Sequence, residues 1–289
     1  NPFHNNVMKA VDIAVIRLPR MSNFTDFNPL ENLRDVSLRY VSSVRKLGRP
    51  EESAAQMEAL LRDDPLDLLA AYELSVARRT PCAMLASVRD KPEYAIDVAS
   101  RYALAGCFEE AAAALREQAD RFAPALYHLG DVLGQMGDAQ GAGQIYAKAA
   151  AINPVGCLHG RPESLPVLRQ AIAANERDAV APYLLGNMLY AARRHEAATA
   201  LFEQSVARGA SFPTAYRNLS YGLFRRGDVA RAGEMIKKAF AMDENDDYVF
   251  FDLCQYLRNT NAPVAERIAL YERHRDLAEC AGRDDNYNM

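Results

Sequence analysis

From about residue 93 to 289, apolar residues return every third or fourth position, the period of helices with one buried stripe, and these stripes recur in pairs. Aligning the pairs on a small residue makes the recurrence countable. Gly186 follows Pro182, Tyr183 and Leu185, precedes Leu189 and Tyr190, and has Ala198 12 residues on and Phe202 4 beyond that. A stride of 34 residues leads to Ser220, with Tyr216 and Leu219 before it and Leu223, Gly227, Ala232, Ile236 and Ala239 after it. A second stride of 34 leads to Cys254, flanked by Phe250, Leu253, Leu257 and Leu270. Upstream, Gly130 opens a unit containing Leu133, Gly137, Ala142, Tyr146, Ala149 and a closing Asn153-Pro154. Ala99 opens another, with Tyr102, Gly106, Ala111 and Leu115. Each unit predicts one helical hairpin.

The turns between the paired helices carry matching chemistry. Gly106, Gly137 and Gly227 fall where the chain reverses, and a positive φ there is cheap only for glycine. Asp138 and Asp228 follow two of these glycines as expected N-caps, each placed to accept a free amide of the second helix. Small residues such as Ala142, Ala198 and Ala232 are set against Tyr146 and Phe202, the complementarity that close antiparallel packing requires. The stride breaks between Gly130 and Gly186, which lie 56 residues apart. The surplus predicts a loop from Val155 to Glu163 and one extra helix from Leu165 to Ala174. Residues 53–76, with Met57, Leu60, Leu61, Leu66, Leu69 and Tyr72, predict one or two further helices.

An aromatic, then Leu-Gly, then Tyr, then Ala, Phe and Pro at these offsets resembles the tetratricopeptide repeat. That resemblance implies an all-α solenoid of antiparallel helix pairs. Residues 53–289 also resemble the helical tail of an uncharacterised bacterial family that places a β-rich domain before its repeats. The likeness lies in Asp64-Pro65-Leu66-Asp67, the run from Pro182 to Tyr190, the run from Phe212 to Leu219, and the stretch from Arg267 to Asp276. It implies architecture and no chemistry.

The first fifty residues follow a different pattern. Asp12 to Ile16 is a β-branched apolar run and Val36 to Val41 alternates with period two, so both predict strands, with helical periodicity beginning only after Pro50. Residues 1–52 are therefore expected to form a short β-containing segment, and 53–289 the helical repeat domain. Asp12-Ile13-Ala14-Val15-Ile16-Arg17-Leu18-Pro19-Arg20-Met21-Ser22-Asn23-Phe24-Thr25-Asp26-Phe27, with Val36 to Val41, resembles the start of the glutaminase domain of cobyric acid synthase. In that family the sheet continues and a cysteine on a nucleophile elbow, with a histidine and a glutamate, releases ammonia from glutamine. Here Glu51-Glu52-Ser53 and helix replace the next expected strand. A thiolate nucleophile needs a base and an oxyanion hole beside it, and none of the cysteines sits in such an elbow, so the amidotransferase activity is not expected. Two strands without their sheet leave unpaired edges, so this segment is expected to be poorly ordered, packed on the first helices, or paired with another chain.

Charge and composition narrow the partners. The formal net charge is −4, with 34 Lys and Arg against 38 Asp and Glu, which argues against a nucleic-acid partner, since those binders carry a basic surplus. No apolar stretch reaches the roughly 18 residues that span a bilayer. Five cysteines, Cys82, Cys107, Cys157, Cys254 and Cys280, stand far apart and odd in number. They fit free thiols of a reducing compartment better than a disulfide framework, and the chain reads as cytoplasmic. No signal peptide is visible after Asn1; a first residue other than Met fits a fragment or a start that lies elsewhere, with room upstream for a targeting signal.

Most local clusters read as ordinary surface. Cys157 and His159 are two zinc-type ligands without a second pair. Arg193-Arg194-His195 and Arg225-Arg226 read as solvated helix ends, and Asp243 to Asp247 as a turn with an N-cap. No metal or cofactor is expected. In the repeat register the first helices turn Tyr127 and Asp131, then Tyr183, Asn187 and Tyr190, then Arg217, Tyr221, Phe224 and Arg225, then Phe251, Gln255 and Arg258 toward a concave face. Aromatics and arginines dominate binding hot spots. Asn187, Arg217 and Asn218 partly resemble the carboxylate clamp of some repeat proteins, without its lysines. The expected function is a non-catalytic scaffold that binds a protein or peptide. The alternatives are a truncated or fused cobyric acid synthase-like amidotransferase, or a helical module serving a missing carbohydrate-related domain. Tyr221→Ala or Arg217→Ala should weaken partner capture while leaving thermal stability nearly unchanged.

Overall fold

The computed structural model describes residues 29–116, 122–157 and 161–277, with side chains described from Ser37 onward. Fifteen helices are described: α1 Pro29–Lys46, α2 Pro50–Asp63, α3 Leu68–Arg78, α4 Ala83–Ser87, α5 Glu93–Leu104, α6 Phe108–Arg116, α7 Ala123–Gln135, α8 Ala139–Ala150, α9 Ser164–Ala174, α10 Val180–Ala191, α11 His195–Ala207, α12 Pro213–Arg226, α13 Val229–Met242, α14 Asp247–Asn259 and α15 Val264–Arg273. The chain divides into two compact units between Ala142 and Gly143, within α8. No strand occurs among the described residues.

One expectation is overturned at the N-terminus. Val36 to Val41 lies inside α1, not in a strand. A strand would place Leu38 and Tyr40 on one face and Val41 on the other; instead Leu38, Val41, Ser42 and Val44 are buried and Tyr40 is 43% exposed. Three- and four-residue spacing decides the matter, because a lone alternating segment has no neighbouring strand to satisfy its amides whereas a helix satisfies its own. Helical periodicity thus begins before Pro50, which serves as the first residue of α2, where a missing amide costs nothing. The strand expected at Asp12 to Ile16, and the segment carrying the glutaminase-domain resemblance up to Asn28, lie outside the described residues.

In the first unit α1 packs on α2, α2 on α3, α5 on α6, and α7 on both α5 and α6. A buried charge cluster joins them. Arg45 Nε donates to Glu73 Oε1 at 2.7 Å and its Nη2 to Glu110 Oε1 at 2.7 Å. Glu73, wholly buried, also accepts from Ser53 Oγ at 3.1 Å and Tyr102 Oη at 2.5 Å. One guanidinium from α1 therefore ties carboxylates of α3 and α6. Burial alone would raise the Glu110 carboxyl, but Arg45 and Lys46 more than offset this and hold it below the usual glutamate value.

The turn signals were legible. Gly106, Gly137 and Gly227 take φ of +73°, +88° and +84°, Asp138 accepts from the amide of Gly141 at 2.8 Å, and Asp228 from that of Arg231 at 3.3 Å. Residues 53–76, expected to form one or two helices, fall in two, α2 and α3, and the extra helix of the insert is α9. Asp246 caps α14 by accepting from Val249 at 3.0 Å, so the acidic run from Asp243 is a turn and cap.

The second unit pairs α10 with α11, α12 with α13, and α14 with α15, and each pair packs on the next. Contacts across α12 and α13 run antiparallel: the Lys238 ammonium sits 4.5 Å from the centre of the Tyr216 ring, while Ser220 Oγ donates to Ala232 O at 2.8 Å. The same holds from α13 to α14, where Phe240 meets Phe250 and the Tyr256 hydroxyl reaches Val229 O. The start of α10 is held firmly. Asp178, wholly buried, accepts from the amides of Val180 and Ala181. Arg208, just past α11, donates to the carbonyls of Ile172, Asn175 and Asp178, and Ser205 Oγ donates to Ala179 O at 2.6 Å.

Removing Arg45 strands two buried carboxylates, so Arg45→Ala is expected to cost the first unit about 3–5 kcal/mol in urea denaturation. Acid should act in the same direction. Because the folded Glu110 carboxyl titrates below its unfolded value, its contribution is fully present above the usual glutamate range and is lost as pH falls through the lower folded value. The acid limb of a stability–pH curve should therefore flatten in Arg45→Ala.

Candidate functional site

First helices α10, α12 and α14 line two concavities within the second unit. The larger, about 490 Å³, is bounded by Tyr183, Asn187, Tyr190, Thr214, Arg217, Asn218 and Tyr221, with Phe202 and Gly156 closing it. The smaller, about 70 Å³, is bounded by Arg217, Tyr221, Phe224, Gln255 and Tyr256. Arg217 and Tyr221 form the wall common to both.

Aromatic packing shapes the larger concavity. Tyr183 stands edge-on to Phe212 at 4.9 Å between ring centres and packs on Phe202 at 6.3 Å. Phe202 can lie there because Gly186 has no side chain: a Cβ on Gly186 would come within 2.5 Å of the Phe202 ring. At the rim Tyr190 stacks edge-on against His195 at 4.6 Å. The Oγ1 of Thr214 and the Nδ1 of His195 are buried without a hydrogen-bond partner.

Polar pairs bridge adjacent first helices. Asn218 Nδ2 donates to Asn187 Oδ1 at 2.8 Å, joining α12 to α10. One template stride of 34 residues onward, the equivalent positions are Tyr221 and Asp252, and they too are paired: the Tyr221 hydroxyl donates to Asp252 Oδ1, while Arg217 Nε donates to Asp252 Oδ2. The Arg217 guanidinium also lies 5.7 Å from the centre of the Tyr221 ring. Burial disfavours the Arg217 charge, yet Asp252 more than compensates and raises its pKa. Burial, then the bond to Asp252, raises the Tyr221 hydroxyl well above the ordinary tyrosine value, so it remains a donor.

Of the twelve residues expected to face a groove, Tyr183, Asn187, Tyr190, Arg217 and Tyr221 meet around the larger concavity, and Phe224 and Gln255 join the smaller one. Arg225 and Arg258 are exposed and Phe251 half-buried, and they bound neither concavity. Tyr127 and Asp131 belong to the first unit. Tyr127 is a core residue, because α7 is buried without a break from Ala123 to Gly130 and has no outward face there. Burial raises the Asp131 carboxyl, partly offset by Gln135, which donates to it at 2.6 Å. Tyr183 is also largely buried and contributes a wall.

Sequence reasoning missed Asp252, which is 7% exposed. Its signal was an acid interrupting the apolar run from Val249 to Leu257, at the slot equivalent to Asn218. The pairing changes the expected behaviour of two substitutions: Arg217 and Tyr221 are bound into the packing, so their removal costs stability. The four described cysteines, Cys82, Cys107, Cys157 and Cys254, are buried and unbridged. Burial raises the Cys254 thiol, away from the thiolate that nucleophilic chemistry needs. No group of three or more His, Cys, Asp and Glu suited to a metal, and no helix long and apolar enough to cross a membrane, occurs among the described residues; His159 of the Cys157–His159 pair lies outside them.

Comparison with family models agrees with the repeat architecture. The tetratricopeptide repeat family model matches residues 41–80, 159–213 and 183–247. Among solved structures, the chain is similar to MamA (residues 41 to the end) of Desulfovibrio magneticus RS-1, at 18% identity and TM-score 0.37 over 68% of this chain and 98% of that one. It is also similar to PilF of Pseudomonas aeruginosa, at 19% identity and TM-score 0.36 over 68% and 79%. A short stretch is similar to cobyric acid synthases, at 51% identity over 49 residues for Clostridium tetani and 61% over 41 residues for Ruminiclostridium cellulolyticum. The 49-residue stretch is 17% of this chain, which spans about a tenth of the length of the synthases it matches.

Asp252→Ala leaves Arg217 and Tyr221 without their shared acceptor. It is expected to destabilise the second unit by roughly 1–3 kcal/mol, and Tyr221→Phe, which removes one hydrogen bond, by about 1 kcal/mol. Equilibrium denaturation of both variants checks the ranking.

Proposed function

With the chain being a tetratricopeptide-repeat protein, we propose that it works as a binding scaffold whose second unit holds a segment of a partner protein in the concavity of α10 and α12. One observation carries the reading. Two successive first helices direct aromatic, amide and guanidinium groups around a single open hollow of about 490 Å³, and aromatic and arginine side chains contribute most to protein recognition. The hollow falls within the range of about 300–1,000 Å³ usual for binding sites. Its walls are held by contacts within the fold: Tyr183 on Phe212, Phe202 over Gly186, and Asn187 against Asn218. A pre-formed site loses little entropy on binding.

The amidotransferase reading draws no support from the described thiols, and the synthase likeness covers too short a stretch to bring an active site with it. Binding through the hollow, with no chemistry performed there, is the function that the geometry favours.

A photo-reactive benzoylphenylalanine placed at Tyr190 should crosslink partner protein in a cell extract, whereas the same group at exposed Glu234 on α13 should not. The Tyr190 crosslink should disappear when Asn187→Arg fills the hollow. Equal crosslinking at both positions, or a Tyr190 crosslink indifferent to Asn187→Arg, defeats the proposal.

A further inference from the structure

The chemistry of the same hollow also specifies what kind of segment fits it, an inference that rests on the binding reading above. Among the described residues that bound the larger concavity, Arg217 is the one that carries a charge. Its charge is already spent: Nε is bonded to Asp252, whose other oxygen is taken by Tyr221. Adding a carboxylate would place a second anion beside a cation that has its counter-ion, and would pay the cost of desolvating that anion without a free positive charge in return. The remaining Nη groups of Arg217 can still donate to a neutral acceptor.

The amide pair supplies the complementary half. After Asn218 donates to Asn187, Asn187 keeps both its N–H donors, while Asn218 keeps its carbonyl oxygen and one N–H. An amide side chain presents the same donor and acceptor as a peptide unit, so two of them side by side match the N–H and C=O groups of a main chain. A helical segment spends those groups internally; an extended one leaves them free. Thr214 Oγ1, buried beside them without a partner, offers one further polar contact. Around these groups the wall is aromatic: half-buried Tyr190 is placed to meet one large apolar side chain, with the buried Tyr183 and Phe202 behind it.

We infer that the hollow takes an extended, uncharged stretch of polypeptide, held through its main-chain amides by Asn187 and Asn218, with one aromatic or aliphatic side chain set against Tyr190. A terminal or side-chain carboxylate is not the recognised group. The equivalent pair at the next interface, Tyr221 with Asp252, is closed by Arg217 and so does not repeat the amide surface.

The test uses the full chain, immobilised, and a library of heptapeptides with randomised central positions, prepared once N-acetylated and C-amidated and once with a free C-terminal carboxylate. Retained peptides are read by mass spectrometry and their affinities by calorimetry. Enrichment of blocked, neutral members with an aromatic or aliphatic centre is expected, with affinity roughly tenfold lower when that centre becomes Asp or Glu and roughly tenfold lower in Asn187→Leu or Asn218→Leu, about the worth of one or two hydrogen bonds. Far-ultraviolet circular dichroism melts identify variants that remain folded; should either Leu variant unfold, Asn187→Ser and Asn218→Ser serve instead. Enrichment of acidic or free-carboxylate members that is lost in Tyr190→Ala overturns this inference and leaves the binding reading standing. Retention of no peptide, or retention unaffected by all of these substitutions, overturns both.

Discussion

The spacing between helices in the second unit is set by side chains that are missing. A Cβ on Gly186 would strike the Phe202 ring, one on Gly222 would come within 2.2 Å of Thr199 Oγ1, and one on Gly233 within 2.2 Å of the Tyr256 hydroxyl. These contacts join three pairs of neighbouring helices, α10 with α11, α11 with α12, and α13 with α14. At each, a glycine admits a side chain from the partner helix to the backbone, and interiors packed at crystal-like density leave no slack to absorb another methyl group. The glycines cost helix propensity; close approach offsets that by burying Phe202 almost completely. The position of Phe202 then sets the floor of the larger concavity, so the hollow's shape is a consequence of the packing constraint.

Arginines act as fasteners in both units, each in a different setting. Arg45 binds two carboxylates from different helices of the first unit. In the second unit Arg208 donates to three carbonyls around the end of α9 and the start of α10, and Arg217 shares Asp252 with Tyr221. The planar guanidinium suits this use because its donors diverge at fixed angles and serve several acceptors at once. A charge so used is compensated within the fold and is poorly available to a ligand. The two amides, Asn187 and Asn218, are neutral and keep unused donors and an acceptor, which separates them from the charges that hold the hollow together.

The helical segment from α1 shows how a local pattern can be read two ways. Five residues from Val36 alternate in polarity, and over so short a window a period of two and a period of 3.6 share several positions. What resolves them is burial several residues farther on, at Ser42 and Val44, and the reach of Arg45 to Glu73 and Glu110, partners 28 and 65 residues away. No window of the sequence contains both ends of that contact. Tyr127 failed as a groove residue for a related reason. The repeat register assigns it an outward slot, but α7 is covered by neighbours on every side over that stretch, and neighbours are a tertiary property.

Sequence alone determined the repeating helical hairpins, their turn glycines and aspartate caps, the extra helix of the insert, and the first-helix positions at which aromatic, amide and basic residues gather. These follow from periodicities and backbone preferences that operate within about one repeat, so they are written in consecutive residues. Tertiary structure alone decided which of those side chains share a hollow and which are consumed in holding it: that Asp252 neutralises Arg217, that Asn187 and Asn218 face each other, and that Tyr127 is core. Charge compensation and burial depend on what stands a few ångströms away in space. In stacked helices that neighbour belongs to the next repeat, about thirty residues distant in the chain.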